Sequence, residues 1–169
     1  TYTITVPPPC ASVSSTVTVD VVSPPDAGLD GAITLCFSNA PQDLFAILGG
    51  TPEPGGTWTS SGGNSSSGTF DPASDASGVF TYTVQGTAPC PADLASVTVA
   101  VTQLPNAGTD DILNLCVVGD AVDLSPLLGA ADPGGTWTGP SGASSGIFTP
   151  GTSAQGNYIY TVNGVAPCP

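Results

Sequence analysis

Five cysteines, Cys10, Cys36, Cys90, Cys116 and Cys168, are the residues of this chain best equipped for chemistry, and their spacing follows a rule. Cys116 stands 80 positions after Cys36, Cys90 stands 80 after Cys10, and Cys168 follows Cys90 by 78. Zinc binding and thiol catalysis are poorly served, because the chain has no His and no Cys-x-x-Cys spacing. Oxidation to disulfides is what remains, and it is the chemistry of compartments outside the cytoplasm. Grouped by repeat, the cysteines pair as Cys36 with Cys90 and Cys116 with Cys168, which leaves Cys10 for a cysteine outside the chain. A bond of that loop length contributes about 4 kcal/mol in the chain-entropy model. The rival pairing, Cys10 with Cys36 and Cys90 with Cys116, links neighbouring units instead, and the spacing leaves both open.

Carboxylates are the second reactive group. Thirteen acidic residues face no Lys, Arg or His, for a formal charge of −13. Nucleic-acid binding needs cationic side chains against phosphate, and a basic membrane-surface patch needs them too, so both classes are excluded. Imidazole-dependent nucleophiles, Schiff-base lysines and arginine-dependent phosphoryl transfer are excluded with them. A glycosidase-like carboxylate pair is all that composition permits. The carboxylates are scattered, however, and the single Glu53 gives way to Asp132 in the next copy, so no enzyme is expected. Asp26 with Asp30, and Asp110 with Asp111, are weak candidates for calcium between units, since hard cations take oxygen ligands. Asn64-Ser65-Ser66 matches a glycosylation sequon that the next copy lacks.

These residues are set on a repeat of about eighty positions. Asp26-Ala27-Gly28 recurs as Asn106-Ala107-Gly108, Asp43-Leu44 as Asp123-Leu124, and Pro54 through Thr59 as Pro133 through Thr138. Phe70 returns as Phe148, Tyr82 as Tyr160, and Ala88 through Pro91 as Ala166 through Pro169. Tyr2, Cys10, Val17, Val19 and Val21 precede Tyr82, Cys90, Val97, Val99 and Val101 by 80. The expected organisation is residues 1–24 as the C-terminal part of one repeat, 25–104 as a complete repeat, and 105–169 as most of a third whose last strand lies outside the chain. A window cut from a longer tandem array fits this phase, with one small domain per repeat.

Within a repeat the local signals are those of strands. Phe80, Tyr82 and Val84 alternate with Thr81 and Thr83, and Val97, Val99 and Val101 alternate likewise, the pattern of half-buried antiparallel strands. Ala32–Phe37, Gly56–Thr59 and Gly68–Phe70 add three more, and Leu44, Ile47 and Leu48 have the spacing of one helical turn. Twenty-two Gly and 18 Pro, with few helix formers, exclude long helices. Hydrophobic residues are 40 % of the chain, enough for a packed core and too many for an acidic disordered tail. No apolar run reaches the ~20 residues of a membrane helix, so no membrane insertion by a helix is expected. The fold class expected is all-β, with tandem immunoglobulin-like β-sandwich domains as extended beads on a string. Its core would hold Trp58, Trp137, Phe80, Tyr82, Tyr158 and Tyr160. Sugar stacking is the functional alternative for the two tryptophans. Val22 through Gly28 and Thr102 through Gly108 carry Pro24, Pro25 and Pro105, which stiffen the joints.

The Asn/Asp-Ala-Gly start, the first Cys, Asp-Leu followed by Leu-Gly, Gly-Gly-Thr-Trp-Thr, and Ala-Pro-Cys-Pro followed by Val-Thr-Val together resemble the immunoglobulin-like tandem repeats of very large cell-surface proteins of the Bacteroidota. That resemblance is to adhesins of gliding bacteria exported by the type IX route, and it implies an extracellular, cell-surface location. The function expected is a structural segment of an extracellular adhesin shaft or surface filament. Its partners would be neighbouring repeats of the same polypeptide and lateral copies in a fibre, and no cofactor is expected beyond the calcium candidates. A carbohydrate- or surface-binding module is one alternative. A short subunit polymerising by strand donation is another, opposed by the duplication of residues 159–168 in residues 1–10.

Overall fold

The computed structural model describes every residue except Val6, Cys10, Ala11 and Ser12. The chain is all-β, its only helical elements being two single 3₁₀ turns among the described residues. The opening segment holds β1 (Tyr2–Ile4) and β2 (Val13–Ser15), an antiparallel pair exposed at every residue.

The best-packed part follows. β3 (Gly31–Cys36), β4 (Gln42–Asp43), β5 (Thr57–Thr59), β6 (Ser65–Ser66), β7 (Thr69–Phe70), β8 (Gly78–Val84) and β9 (Asp93–Thr102) divide into two sheets. One is five-stranded in the order β3-β9-β8-β5-β6, and the other is the pair β4-β7. The alternation read from sequence is the burial pattern observed: Phe80, Tyr82 and Val84 face inward from β8, as do Ala95, Val97 and Val99 from β9. Leu44 and Phe70, next to or on the small sheet, are completely buried, so the core lies between the two sheets and includes Trp58. One pairing in the larger sheet is parallel. β3 runs parallel to β9, with Gly31 opposite Val97 and Cys36 opposite Thr102.

The sequence landmarks have local physical roles. Asp26 Oδ1 accepts from the Gly28 amide, and Asn106 Oδ1 accepts from Gly108, closing the same side-chain turn in both copies. Asp43 and Asp123 each accept from the amide two residues on; Asp43 thereby caps the turn Leu44–Ile47, whereas Asp123 stands one residue before Leu124, the N-cap of Ser125–Leu128. Pro126 sits in the first turn of the second, where its missing N–H costs no bond. Tyr82 Oη donates to the Glu53 carbonyl and accepts from the Gly56 amide, and Tyr160 does the same with Asp132 and Gly135. Glu53 and Asp132 therefore hold equivalent places through their backbones, as parts of a tyrosine anchor that is buried at Tyr82 and half-buried at Tyr160.

The last part repeats the plan with fewer strands. β10 (Val122–Asp123) pairs with β13 (Ile147–Phe148), and β11 (Thr136–Gly139) lies between β12 (Gly142–Ser144) and β14 (Ile159–Thr161). Residues 111–116, the counterpart of β3, form no strand, and no segment of 105–169 takes the place of β9.

Candidate functional site

Cysteine geometry corrects both expected pairings. Cys36 bonds to Cys168, with Cα atoms 4.9 Å apart. Cys90 is half-buried and Cys116 exposed, each a free thiol among the described residues. Cys10, expected to pair with a cysteine outside the chain, lies outside the described residues.

The reason is the parallel strand pair. Cys36 lies level with Thr102 at the end of β9, whereas Cys90 precedes Asp93 at its start. Nine steps along a strand cover about 30 Å, far beyond the ~7 Å limit between Cα atoms of a disulfide. Each repeat thus carries its two cysteines at opposite ends, which rules out Cys36 with Cys90 and, by the same geometry, opposes Cys116 with Cys168. The bond forms across the joint instead. Cys168 Sγ lies 3.2 Å from the Thr102 carbonyl oxygen, which accepts from the Phe37 amide.

The other half of that relationship repeats upstream. Cys90 Sγ lies 3.8 Å from the Val22 carbonyl oxygen, and Val22 is the counterpart of Thr102. Cys90 therefore sits on the preceding segment as Cys168 sits on the repeat 25–104.

The repeat 105–169 bears an open groove of about 1090 Å³ lined by Leu113, Leu115, Cys116, Trp137, Tyr158 and Tyr160 among others. It occupies the place that β9 fills in the preceding repeat. Its aromatics are consequently only half-buried: Trp58, Phe80 and Tyr82 are core residues as expected, while Trp137, Tyr158 and Tyr160 remain partly exposed. Trp58 stacks at 5.1 Å on Tyr82, and its burial removes it as a sugar platform. Trp137 and Tyr160 keep the same 5.1 Å relation.

The acidic candidates are not brought together. Asp26 is engaged with Gly28 and Thr51, Asp30 accepts from the Ser96 amide and hydroxyl, and Asp111 accepts from the Ile112 amide. Asp110 lies exposed on the groove's rim. Among the described residues no three His, Cys, Asp or Glu gather as a metal site.

Val17, Val19 and Val21, already aligned by sequence with the β9 valines at an offset of 80, are exposed at 80, 78 and 92 %. No known protein family matches this chain, and no curated protein is significantly similar to it.

Proposed function

We propose that this chain is a structural segment of an extracellular adhesin shaft or surface filament, built from tandem immunoglobulin-like β-sandwich repeats. The observation that carries the reading is the Cys36–Cys168 bond, which couples one repeat to the next instead of stapling a single one. A covalent link between successive units serves an extended assembly. The bond also favours an oxidising location outside the cytoplasm. The uniform negative charge of −13 supports the same reading, because like charges keep a string of domains extended and soluble. Neighbouring repeats are the primary partners, with exposed sheet edges such as β6 as the route for lateral contacts.

Antibodies raised against the chain test this on intact source cells by immunogold microscopy. Gold along surface filaments is the expected result. Labelling that appears only after permeabilisation overturns it.

A further inference from the structure

We infer that disulfides tie each repeat of the array to both of its neighbours: Cys90 bonds the cysteine at the β3 end of the repeat before it, and Cys116 bonds the Ala-Pro-Cys-Pro cysteine of the repeat after it. This scheme rests on the tandem-repeat reading above and assigns its covalent links.

One complete link is inside the molecule. Cys36 ends β3 opposite Thr102, and Cys168 reaches from the next repeat to the Thr102 carbonyl and bonds Cys36. Two local structures make that joint, and both recur. The first is the turn that presents the second cysteine. The Cys168 amide donates to the Val165 carbonyl at 2.9 Å, and the Cys90 amide donates to the Thr87 carbonyl at the same distance. Gly164 and Gly86 lie so close beneath this turn that a Cβ on either would collide with its carbonyls, those of Pro169 and of Cys90 and Pro91.

The second is the strand end on which the turn docks. Val22 stands 80 positions before Thr102, and its carbonyl oxygen lies 3.8 Å from Cys90 Sγ, as the Thr102 carbonyl lies 3.2 Å from Cys168 Sγ. In a continuous array residues 13–22 are the β9 of the preceding repeat. The parallel β3–β9 register then sets that repeat's first cysteine opposite Val22, as Cys36 is set opposite Thr102. Cys90 thus arrives where that cysteine ends its strand. The same steps taken forward give Cys116 to the following repeat.

Each bond forms as a small-molecule disulfide such as oxidised glutathione is reduced. The two cysteines join in one S–S bond while the S–S bond of the oxidant is cleaved to two thiols, which take up the two thiol hydrogens and the two electrons.

Links of this kind overlap along the chain. The Cys36–Cys168 bond bridges every peptide link between those residues, including the joint from Cys90 to Cys116. The bond from Cys90 back to the preceding repeat bridges the joint before Cys36 in the same way. Every peptide link inside the array then lies under at least one disulfide, so a single proteolytic nick leaves the shaft in one piece. Pairing within repeats would leave the joint between Cys90 and Cys116 unbridged.

The native polypeptide purified from source cells tests this, alkylated to mark thiols and digested with pepsin without reduction, since acid suppresses the thiolate that drives exchange. Mass spectrometry should find Cys90 joined to a cysteine of the preceding repeat and Cys116 to one of the following repeat. Alkylated Cys90 or Cys116 overturns the inference, as does a bond of either to Cys36, to Cys168 or to each other. Light proteolysis of the same material should release fragments only after reduction. Cys90→Ser in the native polypeptide should let nicks between Cys10 and Cys36 release fragments without reductant, and a variant as resistant as the unaltered protein overturns the scheme too. A long polypeptide with alkylated Cys90 and Cys116 would remove these links alone; a native polypeptide no longer than this chain would remove the shaft reading with them.

Discussion

Cys36 and Cys168, separated by 132 residues in sequence, are covalently bonded across the joint between successive repeats. The bond closes a loop much longer than either pairing within a repeat, worth about 5 kcal/mol in the chain-entropy model. Cys36→Ser and Cys168→Ser should each lower stability by about 2–5 kcal/mol. Combining them should add little, because the second change removes a partner already lost. Denaturant titrations of the oxidised variants measure both outcomes.

Gly68 turns the chain directly against the Trp58 indole. Its φ is +82°, and a Cβ there would lie 2.6 Å from Trp58 Cδ1, with the same crowding at Gly146 against Trp137. Gly68→Ala should therefore cost about 1–3 kcal/mol from overpacking, more if the left-handed backbone also resists. Tryptophan fluorescence during unfolding is the direct readout.

The Tyr82 hydroxyl holds two backbone groups at once, at 2.7 Å each. Tyr82→Phe should cost about 1–3 kcal/mol, because it strands the Gly56 amide and the Glu53 carbonyl in a partly buried place. Tyr160→Phe removes the equivalent pair nearer to solvent and should cost less, by the same thermal or denaturant measurement.

Phe70 and Phe148 share a position in the repeat but not an environment. Phe70 is fully buried and packs edge-on against Phe80 at 5.5 Å, while Phe148 is half-buried beside the groove. Phe70→Ala should cost about 3–5 kcal/mol and Phe148→Ala clearly less.

With no Lys, Arg or His, every interaction between charged side chains is repulsive. Screening should therefore stabilise the fold, the reverse of what a protein relying on salt bridges shows. A melting temperature that falls between about 0.01 and 0.5 M sodium chloride, where the Debye length shrinks from roughly 30 Å to under 8 Å, would contradict this.

Period-two patterns made β8 and β9 legible, because inward and outward side chains differ so plainly in Phe80 to Val84 and Val97 to Val101. The Leu44 turn was legible for a similar reason, and so was the burial of Trp58. Cysteine pairing was not. Spacing along the chain says which cysteines share a repeat, but only the parallel register of β3 on β9 says that those two lie at opposite ends of it. The half-exposure of Trp137, Tyr158 and Tyr160 escaped as well, since each depends on a strand that the repeat 105–169 does not itself contain.

The bond between Cys36 and Cys168 also decides how this chain responds to being pulled. Tension applied on either side of the pair passes through the sulfur atoms, so the residues between them carry none of it. That enclosed span of 132 residue steps corresponds to roughly 450 Å of extended chain at ~3.4 Å per residue. It stays locked until the bond is reduced, so the segment yields as an inextensible strap under oxidising conditions and as a long tether under reducing ones.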